Sequence, residues 1–114
     1  MSKLSDGLLN LYVPKARRHL IELARRGDTV NYETITTALG TSRAYIGQVL
    51  DELNEQENAE GRPLLSALVV KANTGMPSYG FSALVRRLHP SLRGTDRAVW
   101  EAERNRVYAH YRSN

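Results

Sequence analysis

The side chains best suited to contact a polyanion lie in the middle of the chain. Most of them fall within residues 41–48, at the start of a predicted helix, where backbone N–H groups favour anions and polar side chains reach base edges. Tyr32 and Lys71 are of the types that contact phosphates. We therefore predict DNA contacts for seven residues, namely Tyr32, Thr41, Ser42, Arg43, Tyr45, Gln48 and Lys71.

Few groups in the sequence are arranged for catalysis or metal binding. The chain has no cysteine, which removes disulfides, thiolate zinc sites and a cysteine nucleophile. His19, His89 and His110 are scattered, without the spacing that holds a metal ion. Ser66 lies in an apolar run and lacks the Gly-x-Ser-x-Gly pattern of a serine nucleophile. We expect no catalytic residue, no cofactor and no metal.

Charge is distributed unevenly along the chain, whose formal net charge is +4. Residues 51–60 hold five carboxylates and no basic residue, while the rest has 16 basic and 7 acidic residues, a net charge of +9. This segregation predicts a basic face for a polyanion and an acidic end turned away from it. An ordinary solvated surface is the alternative interpretation.

Length and hydropathy indicate one globular domain without a membrane span. A chain of 114 residues forms a modest core. No apolar run approaches the ~20 residues that cross a bilayer, and the polar start, Met1 to Gly7, is unlike a secretory signal. We expect a cytoplasmic protein with no membrane partner.

Helix and turn signals divide the chain into a 1–13 segment, a 14–90 domain and a 91–114 helix. Pro14 predicts the start of a first helix that ends at Gly27. Asn31 caps a predicted second helix, which ends at Gly40. Thr41 or Ser42 caps a third, and its predicted inward face consists of Ile46, Val49, Leu50 and Leu53.

The following region reads as a β-hairpin. Its predicted strands are 64–71 and 76–80, joined by a turn at 73–75. Ser82 is a predicted cap of a short helix that ends before Pro90. Two short helices followed by a hairpin predict a mainly α fold with a small β-hairpin, a winged helix-turn-helix.

Thr95 caps the predicted last helix, which reaches Arg112. Its aromatic stripe includes Trp100, Tyr108 and Tyr111, and such a stripe packs on the domain or forms a homodimer or protein-partner surface.

The order of segments resembles the C-terminal winged-helix domain of DNA alkyltransferases and alkyltransferase-like proteins. The matching segments are Val30-Asn31-Tyr32 followed by Gly40, Ile46-Gly47, and Ser66 to Val70 followed by Gly75 and Ser78-Tyr79-Gly80. The resemblance implies a DNA-binding winged helix, with Tyr32 against the backbone of the target nucleotide. Arg43 lies one position from the place of the family's intercalating arginine, which Ala44 occupies.

Departures from this pattern remove alkyl transfer. Ser66 stands where the family has its acceptor cysteine, and Ala67 and Leu68 stand where it has histidine and arginine. A serine in this setting has neither a low pKa nor a neighbouring base. The sequence therefore predicts a non-catalytic, double-stranded DNA-binding protein.

Two other functions remain open from the sequence. One is a protein-interaction adaptor of a DNA-processing or defence complex, which would use residues 51–60 and the last helix. The other is an enzyme acting on nucleic acid, for which no spaced constellation of residues is present.

Overall fold

The computed structural model describes residues 3–78 and 80–112. Within them the chain is mainly helical, with five α-helices and a small parallel sheet of two strands. In chain order the elements are α1 (Asp6–Arg26), β1 (Val30–Asn31), α2 (Tyr32–Leu39), α3 (Ile46–Ala59), a 3₁₀ turn (Leu65–Leu68), β2 (Val69–Val70), α4 (Phe81–Leu88) and α5 (Asp96–Arg112).

Helix α1 begins at Asp6, so the predicted start at Pro14 is wrong. The Ser5 hydroxyl accepts a hydrogen bond from the Leu8 N–H at 3.2 Å, as an N-cap does. Pro14 lies inside the helix and removes the donor to the carbonyl of Asn10. Asn10 is exposed, so solvent can reach that carbonyl. Residues 6–13 therefore form the first part of α1.

Several helix ends follow the sequence signals. The Asn31 side chain accepts from the Thr34 N–H at 2.8 Å and caps α2. Gly40 ends that helix in the left-handed conformation, with φ of 74°, which glycine adopts without steric cost. The Thr95 hydroxyl accepts from the Ala98 N–H at 3.1 Å at the start of α5. These three predictions are confirmed.

Two predicted caps are wrong. Helix α3 begins after a turn, and neither Thr41 nor Ser42 caps it through a side chain; Tyr45 is its N-cap residue. The Ser42 carbonyl instead accepts from the N–H groups of Tyr45 and Ile46, both at 3.0 Å. Ser82 lies inside α4, and its hydroxyl donates to the backbone carbonyl of a residue in α5.

The predicted antiparallel hairpin is not confirmed among the residues that the structure describes. Val69 and Val70 pair in parallel with Val30 and Asn31. Residues 63–70 are all buried, so this segment requires neighbours on every side, and helices together with β1 supply them. The return segment makes a single backbone bond, from the Lys71 N–H to the Met76 carbonyl at 2.7 Å. Tyr79, in the second predicted strand, lies outside the described residues.

The core is built around α1, which packs against α3, α5 and the 3₁₀ turn. Trp100 is 3% exposed, and its Nε1–H donates to the Ala67 carbonyl at 2.9 Å. Tyr111 is 4% exposed. Tyr108 is half-buried, and its hydroxyl donates to the Asp28 carbonyl at 3.3 Å. The C-terminal helix thus packs on the domain, and a partner surface that includes Trp100 and Tyr111 is wrong because both belong to the core.

A buried carboxylate joins three of the helices. Glu57, in α3, is fully buried and accepts from Arg17 at 2.8 Å, from Arg62 at 3.0 Å and from the Tyr111 hydroxyl. Burial alone raises the pKa of Glu57, but these hydrogen bonds outweigh it and hold the pKa below 4.5. The 51–60 block is therefore not a uniform acidic surface.

A second buried carboxylate, Glu103, lies on α5. It is 1% exposed and accepts from the Leu64 N–H at 2.8 Å and from Arg106 at 2.8 Å. Arg62, two residues before Leu64, is bound to Glu57. These two contacts fix the segment that leads into the 3₁₀ turn. Two buried anions thus hold the backbone just before Ser66.

None of the helices in the described part of the chain is long and apolar enough to cross a membrane.

Candidate nucleic-acid interface

The parallel sheet brings together two predicted contact residues that are far apart in sequence. Asn31 is the register partner of Val70. Because the strands run in the same direction, the next residues, Tyr32 and Lys71, leave the sheet at the same end. The predicted antiparallel hairpin would not place Tyr32 and Lys71 at the same end of a sheet.

Tyr32 connects three segments at this end of the sheet. Its hydroxyl accepts from the Ser78 N–H at 3.0 Å, which holds the loop after β2. The guanidinium carbon of Arg43 lies 4.7 Å from the centre of the Tyr32 ring, a cation–π contact. Arg43 is exposed and precedes α3. We call Tyr32, Arg43 and Lys71 the cationic edge.

The other predicted contact residues have different surroundings. Ser42 is exposed, and Thr41 is half-buried. Tyr45 is half-buried and packs against the core. The Gln48 Oε1 accepts from the Leu4 N–H at 2.7 Å, so this side chain holds the start of the described chain. Arg43 and Ser42 are the most accessible residues of the 41–48 stretch that we predicted to contact DNA.

A groove of about 1190 Å³ runs beside the cationic edge, between α3 and α4. Tyr32 and Arg43 line it, and Ser66 and Asn54 are among its buried lining residues. Ser66 is 5% exposed and Asn54 is 7% exposed. The Ser66 Oγ and the Asn54 Oδ1 have no hydrogen-bond partner among the described residues. Ser66 therefore has no base within hydrogen-bond reach that could activate it.

Two carboxylates on α3, Asp51 and Glu55, also line this groove, and sequence reasoning missed their role in it. They are one helical turn apart and lie off the inward stripe of Ile46, Leu50 and Leu53. Partial burial raises the pKa of Asp51 above its usual 3.8. The spacing of Asp51 and Glu55 indicates in the sequence that both lie on one exposed face of α3. The sequence does not indicate that α4 lies opposite them and completes a groove.

Metal-binding geometry is not found in the part of the chain that the structure describes. No group of three or more histidine, aspartate or glutamate side chains is placed to hold an ion there.

The Tyr32 hydroxyl can be tested without removing the ring beneath Arg43. We expect Tyr32→Phe to lower the free energy of unfolding by about 0.5–1.5 kcal/mol, because the Ser78 N–H loses its acceptor. Amide hydrogen exchange should quicken at Ser78, while exchange at the α1 amides follows only the global change. Unchanged exchange at Ser78 would contradict the assigned contact.

Comparison of the chain with protein-family models, with curated proteins and with solved structures gives no match.

Proposed function

We propose that the protein is a non-catalytic, double-stranded DNA-binding protein that uses α2, the turn before α3 and α3 itself as a winged-helix-like module. The observation that carries the proposal is the cationic edge, where Arg43 lies over the Tyr32 ring just before α3 and Lys71 follows the strand that pairs with the one leading into Tyr32. A guanidinium supported by an aromatic ring keeps its charge exposed while its conformational freedom is reduced. Such a group suits phosphate binding.

The shape of α3 supports an approach to a DNA groove. Its inward face is buried, whereas Ala44 and Gly47, on either side of its start, are exposed. A Cβ atom added at Gly47 would meet nothing within 4 Å. Small exposed residues allow a phosphate backbone or base edge to come close, and the major groove is wide enough for an α-helix.

Charge distribution supports the same orientation. The net charge outside residues 51–60 is +9, and the acidic residues of α3 lie beyond its first turn. A polyanion is therefore attracted to the beginning of α3 and repelled further along it. The Val30-Asn31-Tyr32 and Ile46-Gly47 segments of the alkyltransferase-like pattern add to this support, while Ser66 without a base argues for binding without alkyl transfer.

The cationic edge can be tested by charge removal. We expect Arg43→Ala combined with Lys71→Ala to weaken duplex binding by roughly 1–3 kcal/mol and to reduce the slope of log K against log salt by about 2. Fluorescence anisotropy of a labelled duplex at several salt concentrations measures both quantities. The matched control is Arg26→Ala with Arg112→Ala, which removes the same charge from the last turns of α1 and α5.

Two results would count against DNA binding through this edge. One is the absence of duplex binding by the unmodified protein at low salt. The other is an equal loss of affinity in the control, because net charge alone would then explain the effect. Gly47→Glu is a further test of the approaching face. The glutamate has room in the folded protein but places a bulky anion on that face, so it should weaken duplex binding.

A further inference from the structure

We propose that the groove between α3 and α4 binds an extended, basic peptide segment of a partner protein. Asp51 and Glu55 would pair with its cationic side chains, and the apolar wall from α4 would cover its apolar ones. This inference goes beyond DNA binding at the cationic edge and concerns a different part of the same groove.

The carboxylate pair indicates the charge of the occupant. Asp51 and Glu55 are both exposed, lie one turn apart on α3 and line the groove. Neither side chain forms an ion pair or hydrogen bond with another residue that the structure describes. Like charges at this spacing destabilise a helix by a few tenths of a kcal/mol. An arginine or lysine from a partner relieves that repulsion.

Two buried polar atoms without a partner belong to residues that line the groove. The Asn54 Oδ1 and the Ser66 Oγ are more than nine-tenths buried in residues that line the groove, and both lack a partner among the described residues. A buried acceptor without a partner costs about 1–3 kcal/mol. Because both atoms are closed to solvent, the hydrogen bond that an extended peptide can form directly is from Arg87, on the facing wall, to its backbone carbonyls.

The facing wall is apolar and partly open to solvent. Phe81, Leu84 and Leu88 are half-buried residues of α4 that line the groove. Covering apolar surface contributes about 25 cal/mol per Å² to association. The α3 wall from Ile46 to Asn58 is about 18 Å long at 1.5 Å per residue. Five or six residues of extended peptide span the same length.

The charge of the α3 wall favours a peptide over a nucleic acid. Phosphates passing along α3 would meet Asp51 and Glu55 at close range and be repelled. A peptide with alternating basic and apolar residues matches the acidic α3 wall and the apolar α4 wall at once.

Two fluorescein-labelled hexapeptides of defined sequence test the proposal. In one, leucines alternate with arginines, and in the other the same leucines alternate with glutamates. We expect the arginine peptide to bind the full chain at least about tenfold more tightly, measured by anisotropy. Asp51→Asn with Glu55→Gln should weaken its binding about fivefold or more. The control, Glu22→Gln with Glu33→Gln, removes the same charge from exposed residues of α1 and α2 and should change binding less than twofold.

Charge reversal provides the complementary measurement. Asp51→Arg with Glu55→Arg should invert the preference, so that the glutamate peptide binds more tightly than the arginine peptide. Backbone amide shifts in the NMR spectrum should change on addition of the arginine peptide mainly in α3 and α4. Both outcomes support a peptide site at the groove.

The proposal is overturned if the arginine peptide does not bind, if it binds no better than the glutamate peptide, or if the control weakens it equally. Shift changes outside α3 and α4, or changes in the groove caused only by an oligonucleotide, would also overturn it. Duplex affinity separates this proposal from DNA binding, because Asp51→Asn with Glu55→Gln should leave it unchanged or raise it.

Discussion

Glu57→Gln should lower the free energy of unfolding by about 2–4 kcal/mol. The carboxylate is fully buried and holds the guanidinium groups of Arg17 and Arg62 and the hydroxyl of Tyr111. A glutamine of the same size keeps one acceptor oxygen but removes the charge and places an amide donor against two cations. Removing one member of a buried ionic cluster typically costs about 3–5 kcal/mol. The lower range applies because solvent reaches both arginines.

Urea unfolding followed by fluorescence of the chain's one tryptophan measures this loss. Glu60→Gln is the matched control, because it makes the same substitution at an exposed residue at the end of the same helix. We expect that control to change stability by less than about 0.5 kcal/mol. Equal stability of the Glu57 and Glu60 variants would show that the buried cluster contributes nothing net.

The same carboxylate predicts a dependence of stability on pH. Its pKa in the folded protein lies below 4.5, so its contribution is present above the unfolded pKa and is lost as pH falls through the folded pKa. The urea midpoint should therefore decline below about pH 4.5, and the decline should be smaller in Glu57→Gln. Burial and the bond to Glu57 raise the pKa of Tyr111 to about 12, so a further loss is expected as pH rises from 10 towards 12.

Trp100→Ala should lower the free energy of unfolding by about 3–5 kcal/mol. The indole is 3% exposed and lies between α5 and the 3₁₀ turn, where its Nε1–H donates to the Ala67 carbonyl. Truncation leaves a cavity in the core and a buried carbonyl without its donor. Since the variant lacks tryptophan, far-UV circular dichroism is the appropriate measure of unfolding.

Trp100→Phe separates packing from hydrogen bonding. It keeps most of the apolar bulk and removes the donor to Ala67, so the expected loss is about 1–3 kcal/mol. Because Ala67 adjoins Ser66, which lines the groove, both variants should also shift the Ser66 amide in the NMR spectrum. A small loss in Trp100→Ala would contradict the core position of the indole and favour a partner surface.

Local signals predicted part of the fold because they depend on neighbouring residues. Asn31, Gly40 and Thr95 mark helix ends through hydrogen bonds or dihedral angles within a few positions. Pro14 was misleading for a related reason. Proline is typical of a first helical turn, yet it is tolerated at an exposed position inside a helix whose cap, Ser5, lies further upstream.

The sheet could not be predicted in the same way. An apolar run followed by Asn73-Thr74-Gly75 predicts a hairpin, whereas β2 pairs with β1, 39 positions away at Val30 and Val69. That choice depends on tertiary packing around the buried 63–70 segment. The fold alone shows that Tyr32 and Lys71 leave the sheet at the same end, although the residue types predict a DNA contact for each.

The acidic composition of residues 51–60 does not indicate that Glu57 is buried, but the helical spacing of the apolar residues does. Glu57 follows Leu50 and Leu53 on the same helical stripe, and Glu103 occupies the same kind of position between Trp100 and Val107. A charged residue on an apolar stripe is a signal of a buried ionic cluster. Its partners, Arg17 among them, come from distant segments and could not be identified from spacing.

The charges along α3 add to the dipole of its peptide groups. Arg43 precedes the positive amino-terminal end, Asp51 lies near the middle of the helix, and Glu55 lies nearer the negative carboxyl-terminal end. Stable helices usually carry the opposite arrangement, although the cost is small here because Asp51 and Glu55 lie before the last turn, where the dipole acts most strongly. A nearby polyanion therefore attracts the amino-terminal end of α3 and repels the part of the helix that carries Asp51 and Glu55.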